Sequence, residues 1–221
     1  MDKELFLYLN SFYSDFWDTI MLMVTRKETW IPFYLTIVYY IVVHYRKKWI
    51  LILLVMAVTI LISDQLSVLI KESVQRLRPV RDPSIGHVVH NFLRLGGYYG
   101  FVSSHASNTF SIFVFTSMVF KNRSYYVLMF LWALLVSYSR IYTGVHFPLD
   151  IIGGAALGWL LGWSMFRLLM YMEDHLLVLG SSKIEKTALP ASSVGIICLV
   201  FMVMAVSVTI MTYVLHHYHY L

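Results

Sequence analysis

The sequence predicts an all-α integral membrane protein, a six-helix transmembrane bundle preceded by an amphipathic helix at the membrane interface. Three observations carry this reading. Of 221 residues, 59% are apolar and only 13% charged, and mean hydropathy is +0.69, whereas soluble domains are about 25% charged. The apolar residues fall in runs that meet or approach the roughly 20 residues a helix needs to cross the hydrocarbon core. Polar and charged residues gather at the ends of those runs. Residues 1–221 read as a single membrane-embedded domain, with 1–28 interfacial and 29–215 forming the bundle.

Along the chain, Leu5, Leu9, Phe12, Phe16, Ile20 and Met23 recur at helical spacing, with Asn10, Ser14, Asp15 and Asp18 between them. That pattern predicts an amphipathic helix over 5–24, either lying along the bilayer surface or packed as a short helix against the protein. The start, Met1-Asp2-Lys3-Glu4, has no basic n-region and no small-residue cleavage site follows. The first span is therefore expected to serve as the targeting signal. Spans are expected at 30–45, 49–70, 101–120, 125–139, 149–172 and 193–215. Gly180-Ser181-Ser182 and Pro190-Ala191-Ser192-Ser193 bracket a polar connection before the last of these. Gly153-Gly154, Gly158 and Gly162 sit on one helical face and predict close helix packing. The lone Cys198 lies in an apolar run and reads as a small packed hydrophobe. Asp64, an acid inside the second span, is costly there and reads as a polar partner within the bundle.

The net charge of +5 is scattered at span ends without a basic helix or block, which excludes nucleic acid as a partner. With six crossings, 71–100 and the turn 140–148 each follow an even-numbered span and emerge on one face. Arg46, Lys47, Lys48, Lys121, Arg123, Lys183 and Lys186 fall on the other, the bias that marks a cytoplasmic side. Lys3, Arg26, Lys27, Arg76, Arg81 and Arg94 lie on the motif face as well. This topology places the motif loops on the periplasmic face of a bacterial inner membrane.

The motif face carries the chemistry. Lys71-x6-Arg78-Pro79, Val102-Ser103-Ser104-His105 and Ser139-Arg140-x5-His146-x3-Asp150 together supply three cations, two imidazoles, hydroxyls and a carboxylate. Guanidinium groups match phosphate oxygens bidentately and an ammonium adds a compact charge, so Lys71, Arg78 and Arg140 are the expected phosphate ligands. Lys71 and Arg78 are about two helical turns apart and share a face if the second span continues past the membrane boundary, where Pro79 would end that helix. His146 and Asp150, four apart, share a face if a helix starts near Pro148. The carboxylate can then fix the imidazole tautomer and leave the other ring nitrogen free to attack phosphorus. His105 is the candidate acid for the departing oxygen. Ser103, Ser104 and backbone N–H groups at the start of the third span can hold the remaining oxygens. His216, His217 and His219 look like a metal tract but lack carboxylate or Cys partners, so no metal or cofactor is expected.

Together these stretches resemble the three-part signature of the type 2 phosphatidic acid phosphatase superfamily, with specific motif spacing over 71–150. The resemblance implies a metal-independent membrane lipid phosphatase working through a phosphohistidine. It implies His146 as nucleophile, Asp150 as its orienting partner and His105 as general acid. Lys71, Arg78, Ser103, the Ser104 N–H and Arg140 are implied as phosphate ligands. The middle motif departs from the family's usual Pro-Ser-Gly-His, since Val102 and Ser104 stand at the Pro and Gly positions. Soluble relatives include vanadium haloperoxidases; six spans disfavour that chemistry here. The expected substrate is a lipid phosphate or diphosphate, with an envelope lipid such as lipid A or undecaprenyl diphosphate preferred. Phosphatidylglycerol phosphate, phosphatidic acid, or binding and translocation without turnover are the alternatives.

Overall fold

The computed structural model describes residues 1–92, 96–175 and 183–218. Arg94, the 180–182 linker and His219 lie outside the described residues. Those described form α1 (Asp2–Asn10), α2 (Asp15–Thr25), α3 (Ile31–Tyr45), α4 (Trp49–Val74), α5 (Ser104–Phe120), α6 (Arg123–Tyr142), α7 (Pro148–His175) and α8 (Ala191–His217). Helices α3 to α8 fall on the apolar runs of the sequence. Among the described residues, the stretches Lys27–Val74 (α3 with α4), Arg123–Tyr142, Pro148–His175 and Ala191–His217 are long and apolar enough to cross a membrane. Leu54 and Leu61 on α4, Leu160 and Trp163 on α7, and Leu199, Val206 and Ile210 on α8 turn outward. So large an outward apolar surface belongs in lipid, and the protein is an integral membrane protein.

Helix α5 is the central element, packed against α4, α6 and α7. It has 17 residues and is rich in Ser, Thr and Asn, some of which pair inside the protein: Ser107 Oγ and Ser63 Oγ are 2.6 Å apart, and Thr116 Oγ1 accepts from the Tyr125 hydroxyl at 2.9 Å. Helix α7 lies directly on it. A Cβ added at Gly154, Gly158 or Gly162 would stand 2.5, 2.3 or 2.8 Å from the carbonyl oxygens of Ser103, Ser107 and Ser111. Only glycine permits backbones this close. Around this pair, Phe33, Phe113, Phe115, Phe120, Met129 and Trp132 are fully buried. At one end of the bundle Lys48 and Glu173 form a buried ion pair, and Glu173 also accepts from the Ile184 N–H at 2.9 Å.

The N-terminal region corrects the sequence reading. The expected single helix over 5–24 is two helices, broken at 11–14, where Ser14 takes an extended conformation and caps α2 by accepting from the Trp17 N–H. An N-cap serine competes well with helix continuation because it satisfies a donor the new helix would leave open. The break lets α1 fold onto α6 and α7 while α2 packs on α6 and α8. Phe6 is fully buried, with its ring 5.3 Å from that of Phe147. A helix lying only on a bilayer surface would not bury that side chain in protein.

Candidate active site

The motifs meet where α4 ends and α5 and α7 begin. Helix α4 stops at Gln75, whose left-handed φ of 54° directs its N–H onto the Lys71 carbonyl at 2.9 Å. This corrects the expectation that Lys71 and Arg78 share one continuous helix. Residue 78 precedes Pro79, which disfavours helical geometry there, and 76–78 run extended instead. The Arg78 N–H donates to Tyr98 O at 3.1 Å and the Gly100 N–H to Arg76 O at 2.8 Å, with a bridge between Leu77 and Tyr99. Arg78 Nε donates to Tyr99 O at 3.1 Å. Gly96, at φ +63°, passes so close to this guanidinium that a Cβ would sit 3.2 Å from Arg78 Nη1.

Ser103 is fully buried and caps α5 through a long contact from the Ala106 N–H, 3.4 Å. Its own N–H donates to the Asp150 carbonyl at 2.9 Å, tying the starts of α5 and α7 together. The Ser104 hydroxyl, at the position where the family pattern has glycine, is engaged inside the protein. It lies 2.6 Å from Ser67 Oγ and accepts from the Lys71 ammonium. A direct hydrogen bond from that hydroxyl to phosphate would draw on the proton it shares with Ser67, while the Lys71 contact, which it accepts, can remain. His105, one residue on, lies within electrostatic reach of Arg140, His146, Lys71 and Arg78.

Arg140 comes from the last turn of α6. Its Nη1 donates to Thr25 Oγ1 at the end of α2. Its Nε is buried with no hydrogen-bond partner among the described residues, so donor capacity remains for an anion. A tight turn follows, with Gly144 at φ +74° and the N–H groups of Val145 and His146 both directed at Arg140 O, 3.2 and 3.3 Å. It delivers His146 into the interior, 2% exposed. His146 Nδ1 faces Asp150 Oδ2 at 3.5 Å, close but beyond a hydrogen bond. The Gly100 carbonyl also faces the ring. Burial first, then the charges of Arg140, Arg78 and Lys71, hold the His146 pKa well below 6.5. A neutral ring with Nδ1 turned to the carboxylate leaves the Nε2 lone pair available.

Asp150 is completely buried, and both its oxygens are held. Oδ2 accepts the Phe147 N–H at 2.9 Å, and Oδ1 accepts Arg76 Nη1 at 2.9 Å. Gly100 lies so close that a Cβ there would be 2.8 Å from Oδ2. Arg76, Thr25 and Gly100 were not singled out by the sequence as site residues. Arg76 lies inside the Lys71-to-Pro79 motif, which was the available signal; nothing local marks Thr25.

Beside His105 opens a cavity of about 770 Å³. Ser104, His105 and Asn108 form part of its wall, and Tyr34, Ile37, Met56 and Ile60 line its apolar length between α3 and α4. Asp64 lines this cavity too, and its charge acts on Lys71, so it belongs to the site's surroundings and not only to helix packing. The terminal histidines divide. His216 Nε2 lies 3.1 Å from Asp15 O on α2, and His217 stacks on Tyr213.

The family model of the PAP2 superfamily matches residues 48–174. A lipid A 4'-phosphatase of Bacteroides thetaiotaomicron is 34% identical over 172 residues, covering 75% of this chain and 76% of that protein. One from Porphyromonas gingivalis is 33% identical over 180 residues, covering 79% and 75%. The crystal structure of a transmembrane PAP2 type phosphatidylglycerolphosphate phosphatase from Bacillus subtilis superposes with a TM-score of 0.59 at 22% identity, over 80% of this chain and 87% of that one. With the match running through all three motifs and over more than half of its length, the chain belongs to the PAP2 superfamily and is a membrane lipid phosphatase, a hydrolase of phosphate esters.

Proposed function

We propose that this phosphatase removes phosphate from lipid A, or from a similarly bulky envelope lipid such as undecaprenyl diphosphate, at the periplasmic face of a bacterial inner membrane. In this reading α3 to α8 are six spans, and the lipid chain enters between α3 and α4. The observation that carries the reading is the apolar cavity beside His105, which gives a hydrocarbon chain a place next to a cationic cluster. The choice of lipid A is supported by relatives of that name that align over about three quarters of both chains.

Lys71, Arg78 and Arg140 hold the phosphoryl oxygens, helped by N–H groups at the start of α5 with Ser103 as its cap. His146 Nε2 forms a bond to phosphorus as the bond from phosphorus to the lipid oxygen breaks, and His105 gives its proton to that oxygen. Asp150 stabilises the positive charge that develops on His146. His105, now neutral, takes a proton from water as the water oxygen attacks phosphorus. The N–P bond breaks, its electron pair returns to Nε2, and inorganic phosphate leaves.

The test is phosphate release by the purified protein in detergent from lipid A, undecaprenyl diphosphate, phosphatidylglycerol phosphate and phosphatidic acid. Release from lipid A by the native protein and none by His146→Ala supports the proposal. Release confined to phosphatidic acid defeats the substrate assignment, and release retained in His146→Ala defeats the mechanism. Reporter fusions that place the 140–148 turn in the cytoplasm would overturn the orientation.

A further inference from the structure

We infer that Arg76, gripped by Asp2 of the N-terminal helix, is a positioning residue that sets the carboxylate of Asp150 against His146. The inference rests on the phosphohistidine reading above and extends the site to a part of the chain outside the matched 48–174 segment.

The observation is a chain of contacts running inward from the surface. Asp2 Oδ2 pairs with Arg76 Nη2, Arg76 Nη1 pairs with Asp150 Oδ1 at 2.9 Å, and Asp150 Oδ2 faces His146 Nδ1 at 3.5 Å. The Arg76 guanidinium also lies over the Phe147 ring, 4.3 Å from its centroid. One planar group therefore touches Phe147, just before α7, and Asp150 in its first turn. A buried carboxylate is tolerated only when it is paired and hydrogen-bonded, and Arg76 is the cation that contacts this one. Without it, Asp150 keeps the Phe147 N–H on one oxygen while the other faces the interior unpaired. The carboxyl then rotates or takes up a proton, and His146 loses the partner that fixes its tautomer.

Helix α1 is built to hold this arrangement. Asp2 Oδ1 accepts the Leu149 N–H at 3.1 Å, so one carboxylate spans Arg76 and the first turn of α7. Lys3 pairs with Asp82 at 2.7 Å. At the far end of α1, Asn10 Nδ2 donates to Tyr142 O at 2.8 Å, and its Oδ1 accepts the His90 N–H at 2.9 Å. These ties fasten α1 to the loop after α4 and to the turn after α6, the two segments that carry Arg78 and His146. A helix that merely anchored the chain to lipid would need none of them.

The test uses full-length protein in detergent, comparing Arg76→Gln, Arg76→Lys, Asp2→Ala and the Asp2→Ala/Arg76→Gln pair with the native chain. The readouts are kcat, KM and the inhibition constant of inorganic phosphate, with thermal unfolding to show that each variant folds. Arg76→Gln should lower kcat by about tenfold to a hundredfold, the range expected when a reacting group is displaced by roughly an ångström. KM and phosphate inhibition should stay within about twofold, because Lys71, Arg78 and Arg140 are untouched. Arg76→Lys should recover part of kcat, and the double variant should be no worse than Arg76→Gln alone, since Asp2 acts through Arg76. An unchanged kcat in a folded Arg76→Gln overturns the inference. So does a parallel loss of kcat and phosphate binding, which is the mark of a merely collapsed loop. A native protein that releases no phosphate would instead sink the functional reading beneath it.

Discussion

Substituting Gly158 by alanine tests whether the spacing of α5 and α7 sets the catalytic geometry. A Cβ at this position would lie 2.3 Å from Ser107 O, 2.9 Å from Phe110 Cβ and 3.0 Å from Ser107 C. Two of these three atoms are backbone, so no rotamer change relieves the clash. A carbon and a carbonyl oxygen rest roughly 3.3 Å apart at closest, so the two helices must separate by roughly 1 Å. Helix α5 carries His105 in its first turn and α7 carries Asp150 in its own. The separation therefore moves His105, the proposed acid, away from Asp150, the proposed partner of the nucleophile His146, although Gly158 touches neither. A misplacement of this size costs on the order of a hundredfold in rate, or about 2.7 kcal/mol in kcat/KM. Overpacking of the interface should also lower stability by about 1–3 kcal/mol. The assay is phosphate release from lipid A in detergent, with a thermal melt alongside. Gly195→Ala on α8 is the control, since a Cβ there meets nothing within 4 Å and should change neither quantity. A Gly158→Ala protein with native kcat/KM would refute the claim that this helix contact determines the site.

Thr25→Ala removes the hydroxyl that accepts from Arg140 Nη1; losing a hydrogen bond to a charged group costs about 1.5–3 kcal/mol, so KM should rise about tenfold or more, measured by substrate titration. The depressed pKa of His146 has a definite sign in stability. The unfolded chain, with an imidazole pKa near 6.5, binds the proton first, so the contribution of neutral His146 is complete above about pH 6.5 and is lost as pH falls. Melting curves between pH 5 and 8 should therefore fall more steeply below pH 6.5 for the native protein than for His146→Gln. Equal slopes would mean that neither burial nor the charges of Arg140, Arg78 and Lys71 disfavour the charged ring. Activity should survive incubation with EDTA, because the proposed steps use only side chains; a loss restored by added metal would require a different mechanism.

The sequence by itself determined where the apolar helices lie and which motif residues come together, because both are written locally. Hydropathy runs and their polar ends located α3 to α8 closely: the run expected at 30–45 is α3, Ile31–Tyr45, and the one at 125–139 lies inside α6, Arg123–Tyr142. The His146-x3-Asp150 spacing indicated a pair on one face, and the structure puts the two 3.5 Å apart. The glycines of α7 announced their packing, because removing a side chain at helical spacing has one mechanical use. Competition between nearly equal local outcomes was less legible. Periodicity through 5–24 continued across a break that Ser14 makes by capping, and two-turn spacing between Lys71 and Arg78 did not reveal that Gln75 turns left-handed between them.

Tertiary structure alone decided which distant residues meet. Arg76 was one of several cations on the motif face, and nothing local singled out Thr25 or Asp2. Each acquires its role from a partner more than seventy residues away, in the pairs of Arg76 with Asp150, Asp2 with Arg76, and Arg140 with Thr25. Such partnerships depend on how the helices are stacked, and stacking is settled by the summed packing of many side chains. No short window of the chain contains that sum.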